Sequence, residues 1–284
     1  MDGRDHMKKA AVIVLFNPDT DRLLLNINAV VNQVDKLILV DNADSKAELD
    51  EIIDKYKIEY ISDYGNKGIA YALNRAVEYC CKNGFDWLLT LDQDSVCPAD
   101  IVETYEKYID DDVAIITCAI NYNNQELLKS DEEYSYIDEC ITSAAFTNVE
   151  ICKSLGGFDE QMFIDRVDFE YCYRVRKAGY KMLRVNTIVL DHNLGDLKLK
   201  KVGNQVMRVG GHSSFRKFYI AQNTVYCQRK HPDIISKSVC NKKLIKLIVK
   251  TMLYESNKYK KIKSIIKGIK SGKKMKLGVD HWIS

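Results

Sequence analysis

Apolar residues along this chain fall alternately into short unbroken runs and into stripes of helical period. Residues 10–16 are apolar without interruption, which predicts a buried first strand. From Asp21 to Val34 apolar residues stand at 23, 24, 27, 30, 31 and 34, the spacing of a helix with one buried face. Leu37–Val40 predicts a second strand, ending at Asp41 and Asn42. Lys46–Lys55 reads as a helix and Ile58–Ser62 as a strand. Positions 69, 72, 73, 76, 77 and 80 stripe a helix over Ile69–Asn83, and Trp87–Leu91 is a further strand. This alternation predicts an α/β fold: a mostly parallel central sheet with helices on both faces. After Asp94 the pattern loosens. It predicts a helix over Pro98–Ile109, strands over Val113–Ala119 and Glu139–Thr147, and a turn at Leu155–Asp159. A helix follows over Asp168–Ala178, closed by Gly179, and then a strand over Met182–Leu190 that ends at Asp191 and His192.

The last fifty residues differ in kind. Lys243, Lys246 and Lys250 share one helical face, and Leu244, Leu247, Ile248 and Met252 another. Ile262, Ile265, Ile266 and Ile269 then form an i, i+3, i+4, i+7 stripe among lysines. Residues 237–276 hold 14 lysines and one acid, Glu255, so the other residues carry 28 basic against 39 acidic side chains. An acidic body is thus joined to a basic tail, and basic amphipathic helices lie on anionic membrane surfaces. The alternative is a solvated helical pair packed on the body. The expected division is a leader over 1–7 with Met7 as natural start, a main α/β domain over 8–230, and a basic amphipathic helical tail over 231–284.

Composition narrows the class. With 46% hydrophobic residues and three prolines, the chain is expected to fold. No apolar run reaches the roughly 20 residues of a membrane span. Nine cysteines without a C-x-x-C pair argue for reduced thiols, against a disulfide framework or a zinc site. Specific nucleic-acid binding is disfavoured, because residues 237–276 contain no arginine and few aromatics. No glycine-rich dinucleotide fingerprint or P-loop is present.

The candidate chemistry lies where strands end. In an open α/β sheet, ligands bind beyond the carboxyl ends of the strands. Of three Asp-x-Asp pairs, only Asp92/Asp94 follows a hydrophobic strand. Two carboxylates there suit a hard divalent cation, and the cation a diphosphate.

Several segments combine with this one. They are Asn17-Pro18, Val40-Asp41-Asn42, Asn66-Lys-Gly-Ile-Ala-Tyr-Ala-Leu-Asn74, Leu91-Asp-Gln-Asp-Ser95, Gly156-Gly-Phe-Asp159, Phe163-Ile-Asp-Arg-Val-Asp-Phe-Glu170, His192-Asn-Leu-Gly195 and His212-Ser-Ser-Phe-Arg216. Their order and spacing over residues 10–230 resemble family 2 inverting glycosyltransferases of the GT-A fold, in particular bacterial rhamnosyltransferases. The resemblance implies Mg2+ or Mn2+ held by Asp92, Asp94 and His192 on the donor diphosphate. It implies Asp168 as general base, with Asp165 as the rival carboxylate; Val167 stands where the wider family has Glu. It implies donor contacts from Asn17, Asp41, Asn42, Asn66, Gly68, Asn74, Gln93 and Arg216, and acceptor contacts from Ser143, Asp165 and Gly157. Residue chemistry leaves other roles open for several of these. Asp41 can be a turn former, Asn74 a buried cap and Arg216 a surface arginine, while Glu170 is placed to pair with Arg174 one helical turn on.

The expected activity is metal-dependent transfer of a sugar, L-rhamnose from dTDP-L-rhamnose, to a glycan acceptor carried on an undecaprenyl-type lipid. The expected place is cytoplasmic, peripheral to the inner face of the plasma membrane. A UDP-sugar donor and a non-catalytic nucleotide-sugar or membrane-binding module are the alternatives. A sugar-1-phosphate nucleotidyltransferase is disfavoured, because the loop after the first strand lacks a glycine-rich basic segment.

Overall fold

The computed structural model describes residues 7–44, 49–122, 132–192, 197–202, 205–210 and 212–278, with backbone alone at 122 and over the described part of 191–210. All but one residue of the expected leader, and Gly195, lie outside the described residues. The elements in order are β1 (Lys9–Leu15), α1 (Thr20–Val30), β2 (Lys36–Asp41), α2 (Asp50–Tyr56), β3 (Glu59–Ser62), α3 (Ile69–Asn83), β4 (Trp87–Asp92) and α4 (Ile101–Glu106). Then follow β5 (Val113–Tyr122), β6 (Tyr134–Tyr136), β7 (Ala145–Asn148), α5 (Val149–Ser154), α6 (Val167–Lys177) and β8 (Lys181–His192). A hairpin of β9 (Leu197–Val202) and β10 (Gln205–Gly210) leads to α7 (Ser214–Lys230), α8 (Lys237–Tyr254) and α9 (Lys258–Lys274).

Eight strands form one sheet in the order β3-β2-β1-β4-β7-β5-β8-β6. β1 to β4 run parallel; β7 is antiparallel to both β4 and β5; β8 is parallel to β5 and β6 antiparallel to β8. Alternate residues of β1 serve two cores. Ala10 and Val12 face α3, α6 and α7, whereas Ala11, Ile13 and Leu15 face α1 and α4. A strand covered on both sides must be apolar throughout, which is why residues 10–16 are an unbroken run. α3 buries Ala70, Leu73, Asn74, Val77 and Cys80 on the first side. α1 buries Leu23, Ile27 and Val30 on the second.

Several elements depart from expectation. α1 stops at Val30, four residues early, and α4 is a short helix inside the expected 98–109 span. The strand expected over Glu139–Thr147 forms only at Ala145–Asn148. Ala144 has φ 59°, and the Thr90 hydroxyl is directed at the Thr142 carbonyl, so the chain before β7 is bent over the end of β4. β6, α5, the β9–β10 hairpin and α7 were not anticipated.

The tail packs on the body. Cys240 and Leu244 of α8 and Ile265 of α9 belong to the same buried cluster as the sheet's first face. α9 lies against α7 at glycine contacts: a Cβ on Gly268 would stand 2.2 Å from the Phe218 carbonyl oxygen, and one on Gly272 2.3 Å from that of Gln222. The only acid of the region, Glu255, is buried, with Lys217 at 2.5 Å and Lys261 at 2.8 Å. Burial works to raise its pKa, but the two ammonium groups outweigh it and lower it. Breaking such a buried set by removing one partner costs about 3–5 kcal/mol. Half of the isoleucine stripe expected to face a membrane is spent here. Ile265 is fully buried and Ile269 packs on the core, whereas Ile266 stays 45% exposed, so one side of the stripe is a packing face. Gly268→Ala is expected to lower stability by about 1–3 kcal/mol, the usual cost of overpacking. A shift in thermal midpoint measures it; an unchanged midpoint would mean that α9 is free to move off α7.

Candidate active site

The chain runs outward from β1 to β2 and β3, then returns to β4 on the other side of β1. Strand order reverses at β1, and the crevice at such a switch point is where open α/β sheets take ligands. Asp92 ends β4 at this crevice. Two anchors hold the main chain there: Asn26 Nδ2, from a fully buried side chain of α1, donates to the Asp92 carbonyl at 2.8 Å, and Arg22 Nε to the Asp94 carbonyl at 2.9 Å. Asp92 is half-buried and Asp94 exposed. Gln93 bridges back to β1, its Oε1 accepting from the Phe16 amide at 2.8 Å. Its expected donor contact is therefore joined by a structural one. Asn17, next along, is exposed with φ 47°.

The ends of β2 and α3 are knitted together. Asn42 Nδ2 donates to Asn66 Oδ1 at 3.1 Å, and Asn42 Oδ1 accepts the Lys67 amide at 3.0 Å. Asp41 is buried, accepting from the Ala43 amide and the Tyr60 hydroxyl. Gly68 has φ 95°, and a Cβ there would lie 2.6 Å from the Phe163 carbonyl oxygen, which accepts from the Ile69 amide at 2.8 Å. The glycine is thus required by a protein contact: it lets the segment carrying Asp165 and Asp168 dock on the entrance to α3. Asn74 is fully buried, and both ends of its amide go to Phe158, with Nδ2 also 2.7 Å from Glu160. That is the buried structural role among its alternatives. Gly156 and Gly157 both take positive φ and are buried. The Gly157 carbonyl accepts from Arg174.

That docking brings α6 over the same sheet edge as Asp92. Two consecutive residues before α6, Asp165 (φ 67°) and Arg166 (φ 66°), sit in the left-handed region. Such conformations cost about 1–3 kcal/mol each unless the surroundings enforce them. α7 enforces them. Asn223 Nδ2 donates to the carbonyls of Ile164 and Asp165, both at 2.8 Å, and Arg166 Nε to Thr224 Oγ1 at 3.0 Å. Asp165 is held by Arg216 through contacts of 3.0 to 3.2 Å from both Nε and an outer nitrogen. Arg216, the expected diphosphate clamp, is thus paired with the rival base.

Asp168 lies in the first turn of α6, its Oδ1 accepting the Phe169 amide at 2.9 Å. Burial pushes its carboxyl up to about 7; the charge of Asp165 adds to the rise, and the Phe169 amide and Arg166 oppose it. A base poised near neutrality suits proton abstraction. Two residues on, Glu170 is fully buried and bonds Arg174 through both oxygens, Lys230 at 2.7 Å and His231 at 3.1 Å. It fastens α6 to the end of α7, the structural role its spacing suggested.

β7 runs antiparallel to β4, so the chain entering it stands at the same edge. Ser143 lies there, buried, its hydroxyl 3.2 Å from that of Ser95. His192 ends β8 opposite Tyr122, on the carboxyl side of the sheet; its side chain lies outside the described residues. Among the described residues no three His, Cys, Asp or Glu converge as a metal site. The donor set at β4 nevertheless fits a hard cation: Asp92 and Asp94 offer carboxylate oxygens, the ligands Mg2+ and Mn2+ prefer, and such ions commonly complete their shell with substrate phosphate and water. A cavity of about 670 Å³ bounded by Met7, Phe85, Trp87 and Asn148 opens at the opposite edge, away from these residues.

The sequence reading missed Asn26, Arg22, Asn223 and Thr224, which position the site without matching any motif. Comparison with known proteins agrees with the geometry. Residues 10–136 match the model of glycosyl transferase family 2. The chain is 28% identical over 243 residues to dTDP-rhamnosyl transferase RfbF of Shigella flexneri, covering 78% of this chain and 80% of that one. Two solved structures share the fold. One is GalNAc-T7 with UDP, GalNAc and Mn2+ (TM-score 0.60, 15% identity, 95% of this chain and 56% of that one). The other is S. aureus TarS 1–349 with UDP-GlcNAc (TM-score 0.59, 11% identity, 93% of this chain and 81% of that one). The parallel sheet and the likeness to these two structures give the chain the GT-A fold, and residues 10–136 of it match glycosyl transferase family 2.

Proposed function

We propose that the protein is a metal-dependent inverting glycosyltransferase that moves L-rhamnose from dTDP-L-rhamnose to a glycan acceptor in bacterial surface polysaccharide synthesis. The observation that carries the chemistry is Asp168, a carboxyl lifted to about 7 at the start of α6, whose leading segment docks through Phe163 on the entrance to α3 at the carboxyl edge of the sheet that Asp92 also ends. The rhamnosyl donor is supported by the likeness to RfbF.

In a single displacement the acceptor hydroxyl attacks the anomeric carbon from the face opposite the leaving diphosphate. The C–O bond to the diphosphate breaks as the new one forms, and a β-linked donor gives an α-linked rhamnoside. Asp168 takes the hydroxyl proton. Asp165 is the weaker choice because Arg216 occupies both its oxygens. Asp92 and Asp94 would hold Mg2+ or Mn2+, which supplies charge neutralisation for the departing diphosphate. Asn223 and Thr224 keep the base-bearing segment in its strained form, and Ser143, buried against Ser95, would support the acceptor side of the crevice from beneath.

Titration calorimetry with a panel of nucleotide sugars in Mn2+ tests the donor. dTDP-L-rhamnose is expected to bind at least about tenfold more tightly than UDP-glucose or UDP-GlcNAc, a difference of about 1.4 kcal/mol. Tighter binding of a UDP-sugar would move the assignment to that donor, and metal-independent binding without transfer would favour a non-catalytic module.

A further inference from the structure

We propose that the outward face of α8, not the isoleucine stripe of α9, is a docking surface for an anionic lipid bilayer. α8 is apolar on two sides. Cys240, Leu244 and Thr251 point into the body. Away from it, Ile245 is 59% exposed, Val249 46%, Met252 52% and Leu253 60%. These four follow the i, i+4, i+7, i+8 spacing of a single helical face. A solvated helix shows water a polar face, and a contiguous exposed apolar patch marks an interaction site.

The charge around the patch selects the occupant. Lys242 and Lys246 are exposed and flank it on the helix surface. Across residues 237–276, 12 of the 14 lysines are exposed, whereas Glu255 is buried between Lys217 and Lys261. The region therefore turns no negative charge outward. A second copy of the chain meeting this face about a twofold axis would set lysines against lysines. A structured acidic partner is better matched by arginine, whose planar fork reads carboxylates two bonds at a time, and the region has none. Lysines around an apolar stripe suit a diffuse anionic surface: their stems lie along the hydrocarbon boundary while the ammonium groups reach the headgroups. An acceptor carried on lipid would be met at such a surface. That purpose rests on the reading above, but the binding does not, and its test needs no catalysis.

The test is co-sedimentation of the full-length protein with vesicles of phosphatidylcholine alone, or with phosphatidylglycerol added. Binding is expected only with phosphatidylglycerol and should fall as salt rises. The triple variant Ile245→Ser, Val249→Ser, Met252→Ser is expected to weaken partitioning by about tenfold or more at every salt concentration, since it removes buried apolar area. The double variant Lys242→Glu, Lys246→Glu should weaken it at low salt and much less at high salt. Thermal midpoints and transfer to a soluble acceptor should match the parent, because these side chains face away from the core. Vesicle binding equal to the parent in both variants would overturn the proposal. So would binding lost only on charge reversal of Lys263, Lys267 and Lys270 of α9, or a concentration-dependent dimer, formed without lipid, that the triple variant abolishes.

Discussion

Asp94→Asn is expected to reduce glycosyl transfer by about 10²–10³-fold, the scale of several kcal/mol of charge stabilisation lost at the departing diphosphate. Donor affinity measured with Mn2+ should fall with it, and affinity measured in EDTA should be the same in variant and parent. The fold should not change. The Asp94 side chain is exposed, and what secures the loop is its carbonyl, held by Arg22 Nε, which the substitution leaves in place. Asp92→Asn should act in the same direction. It is half-buried and its carbonyl is anchored by Asn26, so a change in thermal midpoint there must be measured before any loss is ascribed to the metal. Unchanged turnover in Asp94→Asn, with circular dichroism confirming a folded protein, would remove the metal assignment from this pair.

How far such chemistry can be read before a structure exists depends on what each residue is packed against. β1, β2 and β4, with α1 and α3, were legible because a parallel strand covered on both faces must be an unbroken apolar run, and a helix on one face must be striped. α7 obeys the opposite logic. Lys217, Gln222, Asn223, Thr224 and Gln228 are among its buried residues, so no apolar period announced it. Yet it is the element that holds Asp165 and Arg166 in their strained conformation and receives α9. The short β6 and α5 are below the length at which any period can be recognised.

The site divides in the same way. Asp92, Asp94 and Asp168 could be placed from sequence because their segments adjoin well-patterned elements. Asn42, Asn66, Gly68, Asn74, Gly157, Gln93 and Arg216 carry residue types that serve ligand and scaffold equally. In the structure each is engaged by the protein itself, a set of contacts that no sequence pattern announces. The tail shows the same ambiguity at the scale of a helix. An isoleucine stripe among lysines reads identically whether it faces lipid or α7, and the close approach at Gly268 and Gly272 decides for α7.

Asp168→Asn is expected to keep donor binding and lose transfer by about 10²-fold or more, the usual scale for a general base. The parent's kcat/KM should rise with pH and level off above about 7, as the carboxyl ionises and becomes able to accept a proton. Stability should move the other way. The folded-state value lies above the ordinary carboxylate value of 3.8, so the native protein holds a proton that the unfolded chain has released. That contribution is complete below the ordinary value and is lost as pH rises through about 7. The neutral amide has no such term. The thermal midpoint of Asp168→Asn should therefore gain on the parent between pH 5 and pH 8, even as catalysis falls. A residue with only a structural role would lose stability and activity together, so the opposed directions are the signature of a base held in a costly ionised state. If Asp165→Asn, with donor affinity intact, has the larger effect on transfer, the base is Asp165, and its pairing with Arg216 must open in the substrate complex.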